Sequence, residues 1–241
     1  MALPKLETPQ HSCKLPILEK QIFFRPFLVG EQKALLIAQE SENQNEQINE
    51  MMRLINLCAE DIIAEDLTTV DLEYLFLQIR IKSVGETSEV LLSCAHCEAD
   101  NEQIINLEKS EVFTEKEVSN IVSLTPTITM ELTLPSYKMI QTIEFQTGEE
   151  GELEDMKASD AFEVIQQCVV SIIDGDEVHS REDFTKSELV KFLDSMSVTM
   201  YSEMLDYFNS APKLRIIQEY NCEACNKDNK LVLEGIGNFF G

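Results

Sequence analysis

Two Cys-x-x-Cys motifs hold the chemistry this sequence offers: Cys94-Ala-His-Cys97 and Cys222-Glu-Ala-Cys225, 124 residues apart. Each lies between short apolar runs. Val90-Leu-Leu-Ser precedes the first and Ile104-Ile-Asn-Leu107 follows it, while Leu214-Arg-Ile-Ile precedes the second and Leu231-Val-Leu233 follows it. Strand, knuckle, strand is the layout of half a zinc ribbon, and it occurs twice. Four thiolates at this spacing suit a tetrahedral Zn²⁺ with sulfur at ~2.3 Å. The expectation is one discontinuous Cys₄ site, with Cys94, Cys97, Cys222 and Cys225 as metal ligands and zinc as a structural cofactor. A closed Cys₄ shell leaves no coordination position for water or substrate. Metal binding of this kind contributes to folding directly, on the order of 10 kcal/mol in small zinc modules.

Redox or disulfide use and unmetallated thiols are the alternatives. Residues 1–16 contain Lys5, Glu7 and three prolines but no apolar core run, so no signal peptide is expected and a reducing compartment is. Redox motifs normally cap a helix that follows a strand. Here polar turn residues follow instead, Glu98-Ala-Asp-Asn and Asn226-Lys-Asp-Asn, and then another strand-like run. His96, inside the first knuckle, is a rival ligand and is expected to point outward. Cys58 and Cys168 lie in helical apolar patterns as buried thiols. Cys13 falls in a polar stretch with no evident partner.

Other constellations are scarce. There is no Gly-x-Ser-x-Gly, glycine-rich phosphate loop or His-Glu-x-x-His, so no enzyme is expected. His11 lies in an expected flexible terminus. His179 has carboxylate company in 174–183, which reads as a solvated turn because Asp174-Gly175 has its own mechanical reason to be there. The methionines 196, 200 and 204 read as core. Phe239 and Phe240, near the end of an acidic chain, either fold back or anchor a partner.

The chain of 241 residues carries 44 acidic and 19 basic side chains, a formal charge of −25. Such a field repels phosphate backbones, and neither knuckle has a basic footprint, so no nucleic acid is expected. A partner with a basic surface suits it better. No run reaches the ~18 apolar residues of a membrane span, so no membrane is expected.

The elements that must position the cysteines read as follows. A β-hairpin spans 14–28 with its turn near Glu19-Lys20, and Pro16 and Pro26 sit at strand ends or edges. A helix opens at Gly30. A second carries Ile48, Met51, Met52, Ile55 and Cys58, and a third, capped by Thr68 or Thr69, buries Leu72, Leu75, Phe76 and Ile79 before Gly85 stops it. Thr127 to Leu134 alternates as a half-buried strand. Helices are expected over 158–173, 185–196 and 199–209, with a short one at the C-terminus. The segments are 1–27 (hairpin), 28–84 (first helical block), 85–110 (first knuckle), 111–211 (strand and second helical block with an acidic loop at 147–155) and 212–241 (second knuckle), in one composite domain. The fold class is α+β: helical blocks flanking a small β assembly gathered around a zinc-ribbon-like site.

Several stretches resemble the T4-type bacteriophage baseplate hub assembly proteins. They are Met1-Ala-Leu-Pro-Lys-Leu-Glu-Thr-Pro, Phe24-Arg-Pro-Phe-Leu-Val, the helix from Glu31-Gln-Lys-Ala-Leu-Leu, Asp71-Leu-Glu-Tyr-Leu-Phe-Leu-Gln-Ile-Arg-Ile-Lys-Ser-Val-Gly-Glu86, and the tail from Cys222 through Gly235-Ile-Gly-Asn-Phe-Phe-Gly241. The resemblance spans essentially the whole chain and carries over no catalytic residue. It implies a non-enzymatic assembly factor that binds baseplate hub or other tail proteins during virion assembly, in the host cytoplasm, with the virion tail baseplate as the alternative location. A permanent structural subunit of the virion is the alternative within the family. A zinc-ribbon regulator of transcription is the alternative outside it.

Overall fold

A computed structural model describes residues 6–40, 44–116, 118–141 and 158–234 of the chain. In chain order the elements are β1 (His11–Lys14), β2 (Gln21–Phe24), α1 (Val29–Gln39), α2 (Gln44–Cys58), α3 (Thr69–Val84), β3 (Thr87–Ser93), β4 (Asp100–Asn106) and β5 (Glu111–Phe113). There follow β6 (Ile121–Ser123), β7 (Ile128–Leu132), α4 (Ala158–Cys168), β8 (Val169–Asp174) and β9 (Glu177–Ser180). Then come α5 (Lys186–Asp194), α6 (Val198–Asn209), β10 (Lys213–Asn221) and β11 (Asp228–Glu234). Helices and small antiparallel sheets make this an α+β protein. It divides into two compact units, one built from Met1–Phe113 and Lys213–Gly241, the other from Thr114–Pro212.

The first unit is organised on α3. Thr68 caps it by accepting from the Asp71 N–H, and Gly85, at φ 127°, ends it in a conformation other residues seldom adopt. Leu72, Leu75, Phe76 and Ile79 are buried as their spacing predicts. So are Leu77 and Ile81 on another side, so the helix is surrounded rather than half-exposed. The buried Asp71 carboxylate accepts the Ile17 and Leu18 N–H groups at 2.8 and 3.0 Å, which fixes the β1–β2 turn against the start of α3. Arg25 grips Glu31 through two guanidinium hydrogen bonds at 2.9 and 2.7 Å and ties the hairpin to α1. α2 buries Met51, Met52, Leu54, Ile55 and Cys58.

The other side of α3 carries the cysteine-bearing strands. β3 and β4 form one antiparallel hairpin, β10 and β11 another, and β5 adds to the free edge of β10. Leu77 and Ile81 of α3 pack with Ile105, Leu107, Leu214, Ile216 and Leu233 in one apolar cluster. Truncating such a residue to alanine costs about 2–5 kcal/mol. Lys213 pairs with Phe113, so the chain leaves this unit and re-enters it at adjacent positions of one strand pair.

The second unit has its own core. Its sheet runs β6-β7-β8-β9. Met130 and Leu132 of β7 pack with Val164, Ile165 and Cys168 of α4, Leu189 and Leu193 of α5, and Met204 and Phe208 of α6. Thr185 and Glu188 form a reciprocal capping box on α5, and Ser197 caps α6.

Three expectations are corrected. The helix read over 158–173 stops at Cys168, and Val169 to Asp174 is a strand. Val169 and Ile172 are buried at helical spacing, but Val-Val-Ser-Ile-Ile is a β-branched run that ends in Asp174-Gly175, a hairpin turn signal, and β9 follows. His11 and Cys13 lie in β1 rather than in a loose terminus, and Cys13 is buried opposite Ile22. The strands do not gather into one assembly: among the described residues they form four separate sheets, of which two bear the knuckles. The acidic loop at 147–155, Phe239, Phe240 and the C-terminal helix lie outside the described residues.

Candidate metal centre

The two hairpins bring the four motif cysteines together. The Sγ atoms of Cys94, Cys97, Cys222 and Cys225 all lie within 4.8 Å of one another. Cys94 Sγ is 3.7 Å from Cys225 Sγ, and Cys97 Sγ is 3.7 Å from Cys222 Sγ. A tetrahedron with metal–sulfur bonds of ~2.3 Å has edges of about 3.8 Å, so the donor set fits a tetrahedral ion. It does not fit a disulfide, whose sulfurs sit ~2.05 Å apart. The cysteines are free thiols, and the other three, Cys13, Cys58 and Cys168, are each buried elsewhere. Among the described residues no other cluster of His, Cys, Asp and Glu has this geometry.

Each knuckle is built in the same way. The Cys94 N–H donates to the Ala99 carbonyl and the Glu98 N–H to the Cys94 carbonyl, both at 2.9 Å. In the second, Cys222 N–H donates to Lys227 and Asn226 N–H to Cys222, again at 2.9 Å. The residue after each second cysteine takes a left-handed conformation, Glu98 at φ 60° and Asn226 at φ 52°. Asparagine tolerates that region better than glutamate. The hairpin registers also correspond, Ser93 with Asp100 and Asn221 with Asp228.

The two knuckles are locked reciprocally by buried asparagines at equivalent positions. Asn101 Nδ2 donates to the Ala99 carbonyl of its own knuckle at 2.8 Å, and its Oδ1 accepts the Glu223 N–H of the other at 2.9 Å. Asn229 Nδ2 donates to the Lys227 carbonyl at 2.9 Å, and its Oδ1 accepts the Ala95 N–H at 3.0 Å. With the sulfur pairing Cys94–Cys225 and Cys97–Cys222, this is an approximate two-fold arrangement within one chain. The Tyr220 hydroxyl adds an unsymmetrical link, donating to the Ser93 carbonyl at 3.1 Å.

The electrostatics favour thiolates at the inner pair. Burial opposes ionisation of Cys94, but the His96 and Cys97 N–H groups, Asn229 and the Cys222 thiol outweigh it and bring the thiol down to about 6. The Cys225 N–H, against burial, lowers Cys222 as well, with help from Ala224. At Cys97 the Ala99 N–H favours the thiolate, but the Cys225, Cys222 and Cys94 sulfurs, with burial, push it up to about 12. Four adjacent thiols cannot all ionise unaided, and a divalent ion removes that conflict. Cys94 and Cys222 are buried, Cys225 is half-buried and Cys97 is exposed, so the centre lies near the surface.

His96 is exposed, as its place within the knuckle predicts, with Nε2 3.3 Å from the Asp228 carbonyl. His179 sits in the exposed strand β9 beside Glu177. Sequence reasoning missed Asn101 and Asn229. The signal was present as a shared Cys-x-x-Cys-x-x-Asp-Asn pattern in both motifs.

A family model described as T4 bacteriophage base plate protein matches residues 8–241. No curated protein matches the chain, and no solved structure does.

Proposed function

The chain belongs to the T4 bacteriophage base plate protein family, and from that premise we propose a non-enzymatic role in assembling the tail baseplate hub. The protein binds hub or other tail components in the host cytoplasm while the baseplate is built. The observation that supports this most directly is the pairing of a closed four-sulfur centre with a chain charge of −25. Cys94, Cys97, Cys222 and Cys225 would hold one Zn²⁺. When bound, the ion supplies a rigid cross-link and no open coordination site. Soft thiolates select against magnesium and calcium, and iron is the competing ion for such a set. The protein's own residues do the rest: the asparagines hold the knuckles in register, and the acidic surface attracts a partner of opposite charge.

The test is affinity purification from infected cells, followed by protein identification and metal analysis of the complex. Hub or tail components and about one zinc per chain are expected. Quantitative mass spectrometry of purified virions then decides between a transient factor and a permanent subunit. Stoichiometric presence in the particle would overturn a purely transient role.

A further inference from the structure

We propose that the solvent face of the β3–β4 hairpin is a docking surface for a basic, amphipathic segment of a partner protein. Leu91 and Ile104 are 62% and 64% exposed on this face, although each lies mid-strand where an aliphatic side chain would normally be covered. The register places Leu91 opposite Glu102 and Ile104 opposite Glu89. Two aliphatic side chains and two carboxylates therefore alternate as a checkerboard. No lysine or arginine occurs anywhere from Thr87 to Asn106.

The second hairpin supplies an internal comparison. It repeats the same knuckle, but its outward charges are already answered. Lys230 lies 3.8 Å from Glu219, Arg215 lies 2.8 Å from Glu111, and the Arg215 guanidinium stacks on Phe113 at 3.3 Å. The two hairpins are alike at the cysteines and differ on their outer faces. Among the described residues Glu89 and Glu102 of the first hairpin form no ion pair, and they stand around exposed aliphatics. A segment alternating Lys or Arg with aliphatic residues matches it, with cations over Glu89 and Glu102 and side chains covering Leu91 and Ile104. This surface rests on the assembly reading only for who the partner is.

The experiment uses the full chain. An alternating Lys–Leu peptide is titrated into isotope-labelled protein, with a Glu–Leu peptide as control. Backbone signals of β3 and β4 are expected to move. The double variant Leu91→Ser/Ile104→Ser, with unchanged melting temperature, should bind at least tenfold more weakly. Glu89→Gln/Glu102→Gln should flatten the salt dependence, and Val232→Ser should change nothing. Movement of signals elsewhere, or equal binding by the double variant, would overturn the proposal. A photo-crosslinker at Leu91 in infected cells separates the two readings. A baseplate component captured equally by the Leu91→Ser/Ile104→Ser variant, and not crosslinked from Leu91, overturns this surface and leaves the assembly role intact. Peptide docking on the hairpin without any baseplate component captured upholds the surface and overturns the assembly role.

Discussion

Asn101 and Asn229 each fasten the other's knuckle, with Asn101 Oδ1 accepting from Glu223 N–H at 2.9 Å and Asn229 Oδ1 from Ala95 N–H at 3.0 Å. Replacing either with alanine leaves a backbone N–H of the opposite knuckle without its partner and removes one of the two donors to a carbonyl of its own, which keeps the cysteine N–H. Each single variant should lose about 1–3 kcal/mol in urea unfolding, and the two losses should be alike because the contacts are equivalent. Asn101→Asp keeps an acceptor but loses the donor and brings a negative charge beside the thiols. It should weaken zinc more than Asn101→Ala in a chelator competition, typically by 10–100-fold for an outer partner of a metal site. Unchanged stability and affinity in all three would remove the clasp from the account.

Metal content gives the second prediction. Purified protein should hold one zinc per chain, and Cys94→Ser or Cys222→Ser should abolish stoichiometric binding. Cys58→Ala and Cys168→Ala should retain the ion even though they disturb buried packing. A chelator should lower the melting temperature and remove hydrogen-exchange protection from β3, β4, β10 and β11 while leaving β7 and β8 protected. Melting that ignores both chelator and mutation would mean the four sulfurs carry no structural ion. A visible absorbance band would identify iron instead.

The Arg25–Glu31 pair gives a pH dependence of known sign. The Arg25 hydrogen bonds hold the Glu31 carboxyl below its ordinary value, against burial and with help from the Leu28 N–H. A depressed carboxylate stabilises the fold above the ordinary carboxylate range, and that contribution fades as pH falls below that range and through the depressed folded value. Glu31→Gln should therefore lose about 1 kcal/mol at pH 7, a modest figure because both groups are partly solvated. The gap from wild type should narrow on acidification. A gap that widens toward acid would contradict the assignment.

Adjacent entry and exit points give the fourth. Since Lys213 pairs with Phe113, the segment from Thr114 to Pro212 can be replaced by a two-residue Asn-Gly turn. The shortened chain should still bind one zinc per molecule. Failure of that variant to bind metal, with β3–β4 and β10–β11 otherwise folded, would show that the first unit depends on the second.

The cysteine pairs and their flanking strands were legible because the Cys-x-x-Cys spacing carries its own geometry and the apolar runs around it are short. The cap at Thr68, the stop at Gly85 and the stripe of α3 were legible for similar local reasons. What local pattern cannot encode is which strands pair across 100 residues, so the strands were expected to gather into one assembly and instead form separate sheets. Val169 and Ile172 were misread because helical spacing and a β-branched run coincide there, and the packing of β8 against β7 decided the outcome. Asn101 and Asn229 looked like turn residues. Their role emerges only when two distant hairpins are set side by side.

The split between the two cysteine pairs also sets a timetable. A ribosome has made Cys94 and Cys97 long before Cys222 and Cys225 emerge, and the whole segment from Thr114 to Pro212 must be threaded out in between. A four-sulfur grip on an ion can close only after Cys225 has been made. Polypeptides stopped between the knuckles would thus keep the first two thiols loose, and capture of an ion would mark that translation has run past both knuckles.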